Sequence, residues 1–437
     1  MTLADKPGTV TRWLEHLESL HAADIELGLE RVRKVALSLD CLRPAPFVVL
    51  IAGTNGKGTT TAWLSALLQR QGLRVGCYNS PHIQRYNERV SVNGVDITDA
   101  DLCRSFALVE EARGDTPLTY FEFGTLAALS WLKTQPLDVC ILEIGLGGRL
   151  DAVNIAEADL CIVTSVGLDH QSWLGDSREA IAGEKYAIAR QGVCLVSGEP
   201  EPPANARQVV AERGGIWVGR GEQFDVQEDT AASVCHVSFR PEVASDITMH
   251  WQLPLGAIPT PNIATGLQAL ALMDHLLPEQ SVARTLDKLS VRGRMQSWES
   301  VTEGSDEPLT VTLDVAHNPQ AATYLAQRMG RVDGIVLAML EDKSPADVLR
   351  ALPKRNRVIA AGLSCARGLS AVELEEHLQQ GMTEPFEVLQ ADTVSDGIQL
   401  VQSIATAGEH WLIVGSFFTV EAALNVIEAD HSEWKSI

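Results

Sequence analysis

Short apolar runs alternate with helical patterns along most of this chain of 437 residues. In the first half, strand-length runs such as FVVLIAG, DVCILEIG and DLCIVTSVG are separated by segments with helical spacing, such as TTTAWLSALLQRQG. Strands that are apolar throughout and are joined through helices are typical of a parallel sheet covered on both faces. The sequence therefore predicts an α/β fold, in which ligands gather at the carboxyl ends of the strands.

A second, shorter alternation follows the segment RGRMQSW. Its strand candidates are LTVTLDVAH, DGIVLAML, RVIAAGL, FEVLQ and HWLIVGS. They suffice for an independent α/β domain of about 140 residues. We place the boundary in RGR, with one domain over residues 1–292 and a smaller, Rossmann-like domain over residues 293–437. The stretch near residues 219–250 is rich in Gly, Glu and Asp, and we expect it to be irregular.

Charge and cysteine usage exclude several classes of function. The formal net charge of −22 argues against a nucleic-acid interface, which needs a surplus of Lys and Arg on one face. No segment approaches about 18 uninterrupted apolar residues, and the N-terminus lacks a leader pattern. The eight cysteines are scattered without a C-x-x-C pair, which favours buried reduced thiols. We expect a cytoplasmic protein that binds no membrane, with a monomer as the simplest assembly.

The segment GTNGKGTT, from Gly53 to Thr60, has the parts of a phosphate-binding loop. It follows an apolar run, its glycines let backbone N–H groups converge, Lys57 supplies a cation, and a helix pattern follows. It departs from the usual P-loop spelling, because the first glycine is missing and Gly58 stands where Ser or Thr follows the lysine. The alternative is a plain strand-to-helix turn. The first domain is thus predicted to be a P-loop-type ATPase domain, with these ATP contacts: Thr54, Asn55, Gly56, Lys57, Gly58 and Thr59.

Six motifs occur in the order typical of a known family: GTNGKGT, YNSPH, LEIGLGGRLDAVN, TSVGLDHQSWLG, GEK and LDVAHNP. Through them the chain resembles the folylpolyglutamate synthase family, relatives of the Mur cell-wall ligases, from about residue 27 to GSFFTVEAAL near the C-terminus. The resemblance implies an enzyme that joins an amino acid to a carboxylate at the expense of ATP.

This reaction class needs a divalent cation, because moving the γ-phosphoryl group onto a carboxylate brings two anions together. Ser80, Glu143 and His170 lie at the ends of three strand candidates: Ser80 after VGCYN, Glu143 in VCILEIG and His170 after LCIVTSVGLD. Thr59 lies where a P-loop hydroxyl meets Mg²⁺. A carboxylate in the apolar run around Glu143 is costly to bury, and Mg²⁺ would offset that cost. The alternatives are a salt-bridged core glutamate, a turn serine and a histidine that is only hydrogen-bonded.

The segment LTYFEFGTL resembles the bifunctional bacterial members of the family, in which it lies over a pterin. Those members make dihydrofolate from dihydropteroate as well as lengthening the glutamate tail of folates. Phe121 offers a ring for stacking, with core packing as its alternative, and Asp151 can accept hydrogen bonds from pterin N–H groups. The predicted dihydropteroate contacts are Glu26, Leu27, Gly28, Thr119, Tyr120, Phe121, Glu122, Leu150, Asp151 and Ala152.

The resemblance assigns further ATP contacts to the second half of the chain. Asn262 in PNIATGL matches an asparagine that touches adenine. Arg294 in RGR matches a phosphate-binding arginine, and its alternative is a solvated linker charge. Asp314 and His317 in LDVAHNP match ribose and base contacts.

Lys185 in IAGEKYAIAR matches a family lysine that carries a carbamate, an oxygen anion suited to a hard cation. An ordinary lysine that pairs with Glu184 or a phosphate is the alternative. Three residues depart from the family's usual pattern, namely Tyr186, Ser344 and Phe418. We name Lys57, Lys185 and His170 as the catalytic candidates.

The sequence thus predicts an ADP-forming acid–amino-acid ligase with Mg²⁺ as its cofactor. Its substrates would be ATP, L-glutamate, dihydropteroate and folates, and ATP would activate the carboxylate as an acyl phosphate that the amine of glutamate attacks. The alternatives are a folylpolyglutamate synthase without the dihydropteroate activity, a Mur-type ligase for another carboxylate, and a nucleotide switch that is not an enzyme.

Overall fold

Two α/β units make up the chain, Met1–Leu289 and Ser290–Ile437. The computed structural model describes residues 7–20, 26–300, 307–381, 387–429 and 434–437. Each unit contains a mainly parallel sheet with helices packed against it. The α/β class predicted for both halves is confirmed.

Eleven strands and ten α-helices are described in the first unit. The strands are β1 (Phe47–Ala52), β2 (Val75–Tyr78), β3 (Val90–Val92), β4 (Val95–Asp96), β5 (Val139–Glu143), β6 (Leu160–Val163), β7 (Cys194–Ser197), β8 (Ile216–Gly219), β9 (Phe224–Asp229), β10 (Val234–Phe239) and β11 (Met249–Pro254). The helices are α1 (Val10–Ser19), α2 (Glu30–Ser38), α3 (Lys57–Arg70), α4 (Asp99–Arg113), α5 (Tyr120–Lys133), α6 (Gln171–Leu174), α7 (Arg178–Lys185), α8 (Ala206–Glu212), α9 (Thr260–Leu272) and α10 (Glu279–Leu286).

An eight-stranded sheet forms the centre of this unit, in the order β4-β3-β2-β5-β1-β6-β7-β8. The strands from β2 to β8 in that order are parallel, whereas β3 and β4 are antiparallel at one edge. In the register of the sheet, Ile51 of β1 lies beside Glu143 of β5 and Ile162 of β6. The segments that follow these strands therefore meet at one edge of the sheet, where parallel strands present ligand sites.

Both faces of this sheet are covered by helices, which explains why its central strands are apolar throughout. Val48 and Leu50 of β1 belong to a core cluster that also holds residues of α1, α2, α4 and α5. Val49 and Ile51 are equally buried and point to the opposite face, where α3 packs against α9. Trp63 of α3 fixes that second layer, because its ring N–H donates to a carbonyl oxygen of α9 at 3.3 Å.

The prediction of an irregular stretch at residues 219–250 is wrong. Strands β9, β10 and β11 form a three-stranded antiparallel sheet that packs against α9. Along β10 the side chains of Cys235, Val237 and Phe239 are buried, whereas His236 between them is exposed. A sheet with one covered face needs only this alternation. The polar half of each strand therefore gave the stretch the composition of a loop.

The second unit is a seven-stranded sheet in the order β16-β15-β14-β17-β13-β12-β18. The strands from β16 to β13 in that order are parallel, and β12 and β18 are antiparallel at one edge. Its strands are β12 (Gln296–Ser300), β13 (Thr310–Asp314), β14 (Gly334–Leu337), β15 (Arg357–Ala361), β16 (Glu387–Ala391), β17 (His410–Val414) and β18 (Trp434–Ser436). Its helices are α11 (Pro319–Met329), α12 (Pro345–Ala351), α13 (Ala371–Gly381), α14 (Val394–Ile404) and α15 (Phe417–Ile427).

All eight cysteines are described, and each is a free thiol. Burial raises the pKa of several of these thiols, including Cys77 and Cys161. Across the described residues, we find no helix with the length and hydropathy needed to cross a membrane.

Candidate active site

The phosphate loop joins β1 to α3 and has the geometry that its glycines predict. Gly56 has a φ of +85° and caps the first turn of α3, which begins at Lys57. A β-carbon at Gly56 would lie 2.8 Å from the amide of Asn262, whose Nδ2 donates to the Gly56 carbonyl oxygen at 3.4 Å. Gly53 has a φ of +151°, and a β-carbon there would overlap the hydroxyl of Thr164. The loop can therefore be built only with glycine at these two positions.

The segment after β6 holds the turn of the phosphate loop in place. The Thr54 N–H donates to the Ser165 carbonyl oxygen at 2.9 Å, and the Asn55 N–H donates to Ser165 Oγ at 3.1 Å. Thr54 Oγ1 accepts from the Gly167 N–H at 3.0 Å and donates to the Gly167 carbonyl oxygen at 3.1 Å. These contacts fix Thr54 and Asn55, two of the predicted ATP contacts.

Two lysines converge on this loop from different helices. Lys57 Nζ donates to the Gly53 carbonyl oxygen at 3.1 Å and lies 3.8 Å from Glu143 Oε1. Lys185 Nζ, at the end of α7, donates to the same Gly53 oxygen at 3.1 Å. Burial, followed by the nearby charge of Lys57, lowers the pKa of Lys185 to about 7. A large share of Lys185 is therefore a neutral amine at physiological pH.

Ser80 and Glu143 meet at the carboxyl ends of the neighbouring strands β2 and β5. The Ser80 N–H donates to Glu143 Oε2 at 3.3 Å, and the carboxylate is only 5% exposed. Ser80 Oγ is buried without a hydrogen-bond partner. A hard cation takes oxygen ligands of this kind, and it would satisfy the orphaned hydroxyl as well as the buried charge. Ser80 and Glu143 thus fit a divalent cation, and Thr59, the third predicted oxygen ligand, is buried in the first turn of α3.

His170 occupies a different environment from the other predicted ligands. It has a φ of +50°, is the N-cap residue before the short helix α6, and is exposed. In the part of the chain that the structure describes, no three His, Cys, Asp or Glu side chains gather so as to hold a metal ion. The structure brings together Ser80 and Glu143 and leaves His170 on the surface of the turn.

The predicted pterin contacts before α2 and at the start of α5 are tied together by Arg31 of α2, which the sequence reasoning missed. Arg31 Nε donates to both carboxylate oxygens of Glu122, at 3.0 and 2.9 Å, and the guanidinium also pairs with Glu26. Thr119 and Glu122 form a capping box at the start of α5, in which each side chain accepts the other's backbone N–H. The T-x-x-E spacing is the sequence signal of such a box.

Phe121 and Asp151 both contact the loop that follows β5. The ring of Phe121 packs directly over Gly145, where a β-carbon would overlap it. Asp151 is buried and accepts the backbone N–H groups of Leu146 at 2.8 Å and Val153 at 2.9 Å. Burial raises its pKa to about 6, against the opposing effect of these hydrogen bonds. Asp151 therefore shapes the loop as well as offering its remaining lone pairs.

The remaining predicted pterin contacts are partly accessible. Half-buried side chains or backbone are found at Leu27, Gly28, Tyr120 and Leu150, whereas Ala152 is buried.

The second unit orders its own predicted ATP contacts around Phe417. The Arg294 guanidinium lies 5.0 Å from the centre of the Phe417 ring, and the His317 ring lies 6.4 Å from it. Asp314 is buried, and its Oδ2 accepts the Met295 N–H at 2.9 Å. Burial raises the pKa of Asp314, and the charge of Arg294 opposes that shift. Sequence reasoning missed Phe417, although the aromatic pair in GSFFT was a signal.

Comparison with known proteins decides the family. A family model described as "Mur ligase, glutamate ligase domain" matches residues 293–417. The chain is 41% identical over 433 residues to "Dihydrofolate synthase/folylpolyglutamate synthase" of Escherichia coli strain K12, with 97% of this chain and 96% of the relative covered. The chain belongs to the dihydrofolate synthase/folylpolyglutamate synthase family.

Solved structures of family members share the fold of the whole chain. "E.coli FolC in complex with DHPP and ADP" is 39% identical with a TM-score of 0.86, and 97% of this chain and 99% of that chain are covered. The bifunctional folylpolyglutamate synthase/dihydrofolate synthase of Yersinia pestis, complexed with AMPPNP and Mn ion, is 38% identical with a TM-score of 0.85 and the same coverage.

Tyr186, a departure from the usual pattern of this family, points away from the phosphate loop. Its ring is fully buried 5.5 Å from the ring of Trp217, and its hydroxyl lies 2.7 Å from Ser197 Oγ. The side chain thus anchors the turn that follows Lys185 to strands β7 and β8.

Proposed function

We propose that this member of the dihydrofolate synthase/folylpolyglutamate synthase family is an ATP-dependent ligase. It joins L-glutamate to dihydropteroate, making dihydrofolate, and to the glutamate tail of folates, and it forms ADP. The observation that carries the proposal is the placement of Lys57 at the mouth of a glycine-built phosphate loop and 3.8 Å from the buried Glu143 carboxylate. Nucleotide phosphates and an oxygen-bound cation are the ligands that this arrangement suits.

The residues of the first unit have distinct roles in this proposal. The backbone N–H groups from Gly56 to Gly58, at the N-terminus of α3, bind phosphate oxygens, while Thr54 and Asn55 keep their N–H groups on Ser165. Lys57 stabilises the charge that develops as the γ-phosphoryl group moves to the substrate carboxylate. Ser80, Glu143 and Thr59 would hold Mg²⁺, and His170, which is exposed on its turn, stays a predicted further ligand. Bound there, Mg²⁺ would reduce the repulsion between the phosphoryl group and the carboxylate.

The carbamate on Lys185 also belongs to the proposal. An amine attacks CO₂ only as the neutral base, and a pKa of about 7 makes that form abundant near neutral pH. The amine nitrogen bonds to the carbon of CO₂ and releases one proton, which leaves an anionic carbamate. A carbamate carbon resonance from ¹³C-bicarbonate, present in the wild-type chain and missing in Lys185→Met, is the expected result. Identical spectra would leave Lys185 as a plain lysine bound to Gly53.

The proposed pterin site uses Phe121, Asp151 and two segments that Arg31 connects, one just before α2 and one at the start of α5. The ring of Phe121 would stack on the pterin, and Asp151 would accept its N–H groups. The proposed adenosine and phosphate contacts are Asn262, Arg294, Asp314 and His317. Among these, Asn262 already touches the Gly56 carbonyl of the phosphate loop. A cytoplasmic location stays a prediction.

The deciding experiment measures ADP release with L-glutamate and three acceptors: dihydropteroate, tetrahydrofolate and a UDP-sugar peptide. The proposal requires ADP with the first two, and product mass must rise by one glutamate. ADP with tetrahydrofolate alone would leave a folylpolyglutamate synthase. ADP with the peptide alone would indicate a Mur-type ligase, and ADP with none would favour the switch.

A further inference from the structure

An ion pair between Arg178 and Glu199 holds the backbone of Val166, in the segment that contacts the phosphate loop. Arg178, the first residue of α7, lies with its Nη2 3.1 Å from Oε1 of Glu199, which follows β7. Glu199 Oε2 accepts the Val166 N–H at 2.8 Å, and Arg178 Nε donates to the Val166 carbonyl oxygen at 3.1 Å. The two side chains thus clamp Val166 from both of its polar groups. The Glu199 side chain is 7% exposed and that of Arg178 is 40% exposed.

Val166 lies between the two residues that hold the phosphate loop. Ser165 accepts the backbone N–H groups of Thr54 and Asn55, and Gly167 exchanges two hydrogen bonds with the Thr54 hydroxyl. Without the ion pair, the segment around Val166 would gain conformational freedom, and keeping its contacts to Thr54 and Asn55 would cost more conformational entropy. The clamp removes that freedom one residue away from each contact.

The same helix also touches the loop at its other end. α7 runs from Arg178 to Lys185, about 12 Å at 1.5 Å per residue, and Lys185 donates to the Gly53 carbonyl oxygen at 3.1 Å. Its buried residues Ile181 and Ala182 belong to the main core cluster of the unit. One packed helix therefore supports the loop on both sides.

We propose that Arg178 and Glu199 are a positioning pair for nucleotide binding. They act through Val166 and the residues beside it on Thr54 and Asn55. This inference rests on the proposed ATP site, because it states how the loop is held in the shape that phosphates require. Without the clamp, the phosphate loop stays attached to the segment around Val166 but is more mobile. Nucleotide binding then has to order the loop at a larger entropic cost.

The chain offers a matched control at the opposite end of β1. Asp159 accepts the Val48 N–H at 2.8 Å and lies 2.9 Å from Nη2 of Arg43, which donates to the Pro46 carbonyl oxygen at 2.6 Å. It is the same kind of clamp on a backbone N–H of the same sheet, at the amino end of β1. Asp159→Asn should lower stability as Glu199→Gln does, without reaching the phosphate loop.

The test compares Glu199→Gln with Asp159→Asn in the full chain. Glutamine still accepts the Val166 N–H, but its amide group faces the Arg178 donors in place of a carboxylate oxygen. We expect Glu199→Gln to raise the Kd for ADP, measured by calorimetry with Mg²⁺, by about tenfold, and Asp159→Asn to change it by less than about twofold. In the ligase assay, KM for ATP should rise more than kcat falls.

Amide hydrogen exchange without nucleotide separates this inference from the proposed function. Thr54 and Asn55 should exchange faster in Glu199→Gln and at the wild-type rate in Asp159→Asn. Unchanged exchange and ADP affinity would overturn the positioning role whatever reaction the enzyme performs, as would equal effects of the two variants. Arg178→Lys, which keeps the charge but loses the fork that reaches both partners, replaces Glu199→Gln if that variant does not fold.

Discussion

At the scale of residues, the Gly53 carbonyl oxygen is the point on which the two lysines of the site meet. Both Lys57 and Lys185 donate to it at 3.1 Å, yet their surroundings differ. Lys57 has the Glu143 carboxylate 3.8 Å from its amine, whereas the charge of Lys57 itself disfavours protonation of buried Lys185. The two lysines therefore have different roles, and each makes a separate prediction.

Lys57→Ala should lower the rate of ADP formation by at least about a hundredfold, because the lysine stabilises charge in the transition state. The fold should persist, since Lys57 is the first residue of α3 and not part of the apolar core. Steady-state ADP release and a thermal melt measure the two effects. Lys133→Ala, at the end of α5, is the control and should leave turnover unchanged. Activity of the Lys57 variant within about tenfold of wild type would contradict the phosphate-loop assignment.

Lys185 makes stability depend on pH in a direction that follows from its depressed pKa. Below pH 7 it is protonated in both states, so the folded state bears the full cost of the buried charge. Between about 7 and the usual value of 10.5 only the unfolded chain binds the proton, so the free energy of unfolding rises with pH. Urea titrations in bicarbonate-free buffer measure the free energy of unfolding of wild type and of Lys185→Met. The wild-type value minus the variant value should rise with pH, by at most about 1.4 kcal/mol per pH unit. A constant difference would show that Lys185 keeps its ordinary pKa.

At the scale of elements, α15 contributes an aromatic platform through its first residue. The Phe417 ring faces the guanidinium of Arg294 at 5.0 Å, whereas the next residue, Phe418, is 42% exposed. Stacking of a guanidinium on an aromatic ring restricts its rotamers and leaves its N–H edge available for phosphate. Two neighbouring phenylalanines thus have unequal roles, which makes them a matched pair.

Phe417→Leu should raise KM for ATP several-fold, on the order of the 0.5 to 1 kcal/mol of an exposed cation–π contact, while Phe418→Leu leaves it unchanged. The single variant Phe417→Trp should keep the wild-type KM for ATP, because indole is the better partner for a cation. Kinetics at saturating glutamate and folate measure the effect. The same KM in all three variants would remove Phe417 from the nucleotide site.

At the scale of the whole molecule, the features that could be predicted are those made of residues that are neighbours in the sequence. The α/β class follows from runs such as FVVLIA, since strands buried on both faces are apolar at every position. The glycine turn between β1 and α3 could be predicted because its glycines and Lys57 are neighbours in the chain. The Arg31–Glu122 pair spans 91 positions, and no pattern in one sequence marks partners at that separation. The antiparallel sheet at β9–β11 was missed because its exposed face has the composition of a loop.

The second unit has a core of its own, which predicts independent folding. Residues 290–437 expressed alone should unfold in one cooperative transition, because its sheet is covered by α11–α15 and its main apolar cluster draws on residues of this unit. The near-ultraviolet circular dichroism of its buried Trp298, Trp411 and Trp434 reports the packing. A broad melt with no near-ultraviolet signal would show that the unit needs the rest of the chain.

The glycine geometry of the phosphate loop has a consequence for how such chains are found in genomes. Gly53 and Gly56 admit no other residue, whereas a β-carbon at Gly58 would lie 3.6 Å from Glu143 Oε2, an ordinary contact distance. The position after the lysine is therefore the one of the three at which another residue would meet the least steric conflict. A search pattern that requires Ser or Thr at that position discards loops of the same backbone shape. A pattern that requires the glycines at positions 53 and 56 retains them.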